Sequence, residues 1–225
     1  MTNIVNVGAR CVSVNWSAEV FGKMIINLRG TNGSGKSTIV REVMGHLQMH
    51  PFFIEKRRRP IGYYSTEPKV WVVGHYETDC GGCDTITSLD NVYDEIHHAV
   101  AKGFNVLYEG IMASGEYRRC AELHKTGHDI RVIALDVPIE TCLESIQLRR
   151  AGRTVGPHPP DSNALHTNSG YTEIQKKPLD PTRTIRRLRE VRSMMEHLKA
   201  CGVPTQWATR EEALNICLET LGVKA

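Results

Sequence analysis

An octapeptide sets the terms for this chain: Gly30-Thr31-Asn32-Gly33-Ser34-Gly35-Lys36-Ser37 fits the pattern G-x-x-x-x-G-K-[ST] at every position. It follows a short apolar run, Met24-Ile25-Ile26-Asn27-Leu28, and precedes residues 37–48, whose apolar spacing predicts a helix. A strand that turns through glycines into a helix opens an α/β layer, because the helix must cover the strand it leaves. The glycines let successive backbone N–H groups converge on phosphate oxygens, where side chains would block the approach. The helix N-terminus adds a partial positive charge. The motif therefore predicts an ATP site built from Gly30, Thr31, Asn32, Gly33, Ser34, Gly35, Lys36, Ser37 and Thr38. Within it, Lys36 is expected to reach the β- and γ-phosphates and the Ser37 hydroxyl to ligate Mg²⁺. A glycine turn with a surface lysine is the bland alternative, and the matched context argues against it.

The rest of the chain repeats the alternation. Apolar runs at 70–74, 104–108, 130–135 and 203–207 read as strands; helical patterns cover 89–101, 116–125, 139–150, 184–200 and 211–221. Pro138 stands where the third of these helices would begin. The expected fold is α/β, a mostly parallel five-stranded sheet with helices on both faces. At 225 residues with 40% hydrophobic content, the chain suits one domain, 24–225, preceded by a weakly alternating extension, 1–23, that could add one or two edge strands. Residues 151–182 are rich in Gly, Pro, Asn, Ser and Thr without clear periodicity, and read as a polar lid or a long functional loop.

A phosphate loop of this kind needs a carboxylate near its metal. Glu109 ends the 104–108 run and precedes Gly110, so it is assigned to the Mg²⁺ shell or to activation of an acceptor hydroxyl. The loop His75-Tyr76-Glu77-Thr78-Asp79-Cys80-Gly81-Gly82-Cys83-Asp84-Thr85 follows the second strand, at the edge where a second substrate lies in such sheets. Asp79 and Asp84 are the candidates for gripping that acceptor or serving as general base. Cys80 and Cys83 form a C-x-x-C pair without a second pair, which favours two thiols around a Gly-Gly turn over a zinc site. Arg149, Arg150 and Arg153 lie where the 139–150 helix runs into the polar segment; Arg149 and Arg153 are candidates for stabilising the transferring phosphoryl group. The run Lys56-Arg57-Arg58-Arg59 and the arginines at 183, 186, 187, 189 and 192 form solvated charge or a surface for a polyanion such as DNA.

No stretch reaches the length of a membrane span, and the first 23 residues lack the apolar core of a secretory signal, so no membrane partner and a cytoplasmic location are expected. Seven cysteines spread along the chain fit reduced thiols. The net charge of +3 decides nothing by itself, and the oligomeric state has no signature.

From Met24 onward the chain resembles the nucleoside monophosphate kinases, especially thymidylate-kinase-like enzymes. The resemblance is carried by the phosphate loop, the strand ending in Glu109, and Leu135-Asp136-Val137-Pro138 with its helix to Arg149. It implies a five-stranded parallel core and an arginine-bearing lid. The loop after the second strand lacks the Asp-Arg pair expected of a thymidylate kinase. That loop, Gly74-His75-Tyr76-Glu77-Thr78 with Cys80-Gly81-Gly82-Cys83-Asp84-Thr85, together with Tyr108-Glu109-Gly110, is instead similar to the bacteriophage 5-hydroxymethyluracil DNA kinases. This resemblance spans about residues 24 to 210. It implies ATP-dependent phosphorylation of a base hydroxymethyl group in DNA, a step of thymidine hypermodification. A kinase of a free deoxynucleotide is the alternative, and a nucleotide-binding switch a third reading that the Glu109 and Arg149 context disfavours.

Overall fold

The computed structural model describes residues 4–7, 10–13, 22–54, 57–78, 81–151 and 179–223. Strands β1 (Ile4–Val7) and β2 (Arg10–Ser13) pair antiparallel as a separate two-stranded sheet. The main body runs β3 (Met24–Arg29), α1 (Lys36–Gly45), β4 (His50–Phe52), β5 (Gly62–Thr66), β6 (Lys69–Val73), a 3₁₀ turn (Cys83–Thr85) and α2 (Leu89–Ala101). It continues through β7 (Asn105–Glu109), α3 (Ile111–Ser114), α4 (Arg118–Lys125), β8 (Asp129–Leu135), α5 (Ile139–Arg150), α6 (Pro181–Ala200), β9 (Thr205–Ala208) and α7 (Arg210–Leu221).

The sheet has seven strands in the order β4-β5-β6-β7-β3-β8-β9. Five of them, β6, β7, β3, β8 and β9, are mutually parallel, while β4 and β5 extend the edge antiparallel. The expected sheet of five strands is thus corrected to seven. The sequence hid the extra pair because β4 is three residues long and contains Pro51, and the polar atoms of β5, Gly-Tyr-Tyr-Ser-Thr, mask its apolar contacts. Ring contacts hold this edge: Phe52 meets Trp71 edge-on at 5.0 Å, and Tyr64 stacks on it at 5.7 Å.

Successive residues of the central strands point to opposite faces, and both faces are covered. Ile25, Val106, Tyr108, Ile130 and Val132 pack under α2, α4 and α6. Ile26, Leu28, Leu107, Ile133 and Leu135 pack under α1 and α7. This two-sided burial explains the near-continuous apolar runs of the parallel strands. The helices begin where side chains satisfy their free amides. Ser88 caps α2, Asp180 with Pro181 opens α6, and Thr209 with Glu212 makes a capping box on α7.

Two further readings change. In the 184–200 helix the spacing of Ile185, Leu188, Val191, Met195 and Leu198 predicts one apolar stripe, but Ile185 is 36% exposed and the inward face begins at Thr184 instead. Thr184 turns inward because α6 starts against the glycine-rich loop, where its carbonyl accepts from the Thr31 hydroxyl. The short α3 between Glu109 and the next helix was not foreseen. Asp79, Cys80, Lys56, Arg153 and nearly all of the expected lid lie outside the described residues.

On α2, Glu95 is buried beside the Trp71 indole. Burial pushes its pKa up to about 7, against the pull of Lys102. The unfolded chain releases this proton near the ordinary 4.5 and the folded chain holds it until about 7, so stability falls as pH rises through that window. Glu95→Gln is therefore expected to be more stable than the parent at pH 8, by up to about 3 kcal/mol, and equal to it at pH 4. Chemical denaturation at the two pH values checks this.

Candidate active site

The register of β3 against β7 pairs Leu28 with Glu109. The glycine-rich loop that leaves β3 and the carboxylate that ends β7 therefore emerge side by side at the carboxyl edge of the sheet, where open α/β sheets bind ligands. The Ser37 hydroxyl donates to Glu109 Oε1 at 2.7 Å. Buried Lys36 donates from Nζ to the carbonyls of Gly30 (2.9 Å) and Thr31 (3.0 Å). Burial pushes the Lys36 pKa below the ordinary lysine value, and the Glu109 and Asp84 carboxylates pull it back up, while Arg149 lowers it. Burial likewise pushes Glu109 up, with Lys36 and the Ser37 bond pulling down. Each of these two buried groups supports the charged form of the other.

The loop keeps its shape because three elements press on it. Gly33 sits at φ +76°, and a Cβ there would stand 2.2 Å from the Cys142 carbonyl of α5. From the first turn of α7, Arg210 donates to the carbonyls of Ser34 (2.8 Å) and Gly33 (3.1 Å). On the third side, the Thr31 hydroxyl donates to the Thr184 carbonyl of α6 at 2.9 Å. Below the loop, the wholly buried Arg29 donates to Asn27 Oδ1 (2.5 Å) and to the Glu116 carbonyl (2.5 Å), tying the end of β3 to the turn after α3. A cleft between the loop and α6 is lined by Gly30, Asn32, Ile111, Ser114 and Arg187.

The segment after β6 folds back against Glu109. His75 and Gly82 form an antiparallel bridge, with the Gly82 amide donating to the His75 carbonyl at 2.8 Å. A Cβ on Gly81 would lie 2.4 Å from the His75 carbonyl, and one on Gly82, at φ +80°, 2.3 Å from Glu109 Oε1. The Gly-Gly turn thus exists so that backbone can touch the carboxylate. Asp84 then accepts from the amides of Ile111 (2.8 Å) and Met112 (3.0 Å), capping α3 directly after Glu109. Arg41, one turn along α1 from Ser37, fixes the outer part of the segment by donating to the carbonyls of Tyr76 (3.1 Å) and Thr78 (2.6 Å). Cys83 is buried, and burial holds its thiol well above the ordinary value, the opposite of a reactive or metal-binding cysteine.

Of the residues singled out in the sequence, the structure brings together Lys36, Ser37, Glu109 and Asp84, with Arg149 near enough to oppose the Lys36 charge; Thr38 lies in the first turn of α1. Asp79 and Arg153 lie outside the described residues. Arg41, Arg210 and Arg29 were missed. Arg41 was legible from its i+4 spacing to Ser37, and Arg210 from its place after the last parallel strand; Arg29 carried no signal. Among the described residues no three His, Cys, Asp or Glu side chains gather as a metal cage. Ser37 and Glu109 offer two hard oxygen ligands, which fits a Mg²⁺ that keeps waters and phosphate oxygens in the rest of its shell.

No protein-family model matches the chain. It is 33% identical over 201 residues to a 5-hmdU DNA kinase of Pseudomonas phage PaMx11, covering 88% of this chain and 96% of that protein. A 5-hmdU DNA kinase of Delftia phage PhiW-14 is 32% identical over 146 residues, 56% of this chain and 52% of that protein. A third, from Pseudomonas phage M6, is 26% identical over 192 residues, 77% and 98% of the two. Among solved structures, a chain from the PezAT toxin–antitoxin system of Streptococcus pneumoniae is 13% identical with a TM-score of 0.41, covering 90% of this chain and 80% of that one. That likeness is too slight to carry an argument.

Gly82→Ala tests the contact on which the site depends. An alanine at φ +80° whose Cβ would overlap the Glu109 carboxylate should cost about 1–3 kcal/mol. The expected outcome is a melting temperature lower by at least about 3 °C. A parental melting curve would show that the turn has room to spare.

Proposed function

We propose, from the fact that this chain belongs to the family of 5-hmdU DNA kinases, that it transfers the γ-phosphoryl group of ATP to the 5-hydroxymethyl group of uracil in DNA. The single observation that carries the reading is the 2.7 Å bond between Ser37 and Glu109 beside a buried Lys36, at the edge where a parallel sheet presents ligands. The arrangement supports a P-loop kinase fold, to which we assign residues 24–225, with residues 1–23 as an N-terminal extension.

In the reaction the acceptor hydroxymethyl oxygen bonds to the γ-phosphorus, the bond from that phosphorus to the β,γ-bridging oxygen breaks, ADP leaves, and the hydroxyl proton passes to a carboxylate. The loop amides of Gly33 to Ser37 and the α1 N-terminus bind the phosphate chain. Lys36, already among inward carbonyls, exchanges them for phosphate oxygens and offsets the charge that builds up during transfer. Ser37 and Glu109 would hold Mg²⁺, which when bound neutralises the phosphate oxygens. Asp84 keeps both oxygens on backbone amides, so its task is to hold the Gly110–Met112 turn in place. The proton then falls to Asp79 or, where water separates Glu109 from the metal, to Glu109. Arg149 faces the Lys36 side and Arg153 follows it along the chain; both are assigned to the transferring phosphoryl group. No described helix is long and apolar enough to cross a membrane, and phage DNA and ATP meet in the host cytoplasm, where the enzyme is expected to act.

Transfer of label from γ-labelled ATP is to be measured on hydroxymethyluracil duplex, thymidine duplex and free hydroxymethyl-dUMP. Label on the first alone is expected, and rapid labelling of the free monophosphate with none on DNA would replace this substrate with the nucleotide. Lys36→Ala should lower turnover by about 10³ or more while the fold is retained, by analogy with other electrostatic contacts in transition states. Glu109→Gln should lower turnover and shift its Mg²⁺ dependence. A change confined to the KM for ATP would remove the role assigned to Glu109.

A further inference from the structure

The segment between β4 and β5 is delivered to the active edge by strand direction alone. Gly62 pairs with both Phe52 and Val73, and Val73 leads into the loop that carries Asp84. Residues 53–54 and 57–61 therefore lie beyond the strand ends at the same edge as Ser37 and Glu109. They are fastened there: the Ile61 amide donates to the Phe52 carbonyl at 2.9 Å, the Gly74 amide donates to the Ile61 carbonyl at 2.8 Å, and Arg57 donates to the Thr85 carbonyl.

What this segment presents is unusual for a solvated turn. Phe53 is 51% and Ile54 44% exposed, the two most exposed large apolar side chains among the described residues. The preceding Phe52 points inward onto Trp71, so the apolar content at 53 and 54 is not needed to close the core. Arg58 and Arg59 follow, both exposed. A patch for a protein partner would be depleted in charge at its centre. An apolar tip with two free-standing arginines, bolted to the acceptor loop, suits a polyanion that carries apolar faces, which is stacked nucleic acid.

We propose that Phe53, Ile54, Arg58 and Arg59 engage the duplex: Phe53 and Ile54 enter the base stack where the target nucleotide leaves it, and Arg58 and Arg59 hold the flanking phosphates. This rests on the DNA-base reading above. The 5-hydroxymethyl group of a paired base lies in the major groove, but Glu109 is 2% exposed, so the base leaves the stack to bring its hydroxyl to that carboxylate, and extrusion costs a few kcal/mol of stacking. Apolar side chains that fill the gap recover part of that cost, as wedges do in proteins that kink DNA. A base already unstacked needs no wedge.

The test compares the parent with Phe53→Ala/Ile54→Ala on one hydroxymethyluracil strand offered three ways: fully paired, single-stranded, and paired opposite an abasic site. The double variant should lose about tenfold or more in rate on the paired duplex and stay within about twofold on the other two. A 2-aminopurine next to the target should brighten when the parent binds the duplex and remain dim with the variant. Arg58→Gln/Arg59→Gln should lower the slope of log affinity against log salt by about two. Equal loss on all three substrates, or no loss on the duplex, overturns the wedge while the DNA reading stands. A parent active on single strands but not on duplex also overturns it. A parent active on no DNA removes the DNA reading and the wedge together. Self-association of the free parent that the double variant abolishes would give the patch to a second copy of the chain instead.

Discussion

The active edge depends on one register. Because β3 and β7 are parallel and Leu28 stands opposite Glu109, the last residue of β7 is level with the penultimate residue of β3, two positions before the loop begins at Gly30. A shift of one residue would turn the Glu109 side chain to the opposite face of the sheet. The two-sided packing makes such a shift costly, since it would also exchange Val106 and Tyr108 with Leu107 between two different sets of helices. The bond from Ser37 to Glu109 is thus enforced by the hydrophobic core and not by the polar groups that make it.

A buried ammonium and a buried carboxylate are poor contributors to stability, because each loses its hydration before it gains a partner. Here Lys36 and Glu109 are both driven toward neutrality by burial and toward charge by one another. Carbonyls of the loop, the Ser37 hydroxyl and nearby Asp84 make the arrangement tolerable without closing it. The groups with capacity left over are those that the proposed phosphate chain and metal would engage. Local cost and chemical use coincide, which is the ordinary relation between strain and function at an active site.

Around this centre the chain uses guanidinium groups as bolts. Arg210 grips two loop carbonyls, Arg41 two carbonyls of the segment after β6, and Arg29 the turn after α3. Each joins elements far apart in sequence, and each donates to backbone oxygens, which are available whatever side chains surround them. By contrast, most of the α6 arginines face outward; Arg186 and Arg187 both lie within ion-pair distance of Glu190. Arg187 also lines the cleft beside Gly30 and Asn32, so that helix carries both solvated charge and one cation turned toward the loop.

The sequence by itself determined the parallel core and the glycine-rich loop proposed to bind phosphate. Both are local: a buried parallel strand must be apolar on two faces, and a loop that wraps phosphate must place its glycines, lysine and serine at fixed spacing. Glu109 was legible for the same reason, as the polar residue where an apolar strand ends. What only the tertiary structure decided is how distant segments meet. The antiparallel β4–β5 edge was invisible because three residues with a proline carry no period. Asp84 looked like a free acid, and folding gave both its oxygens to amides 27 and 28 residues away. The Cys-Gly-Gly-Cys run was legible as a glycine turn between two thiols, but not the reason for the turn, which is that a Cβ at Gly82 would overlap Glu109. Such facts depend on the approach of one backbone to a side chain from another part of the chain, and spacing along a sequence does not record that distance.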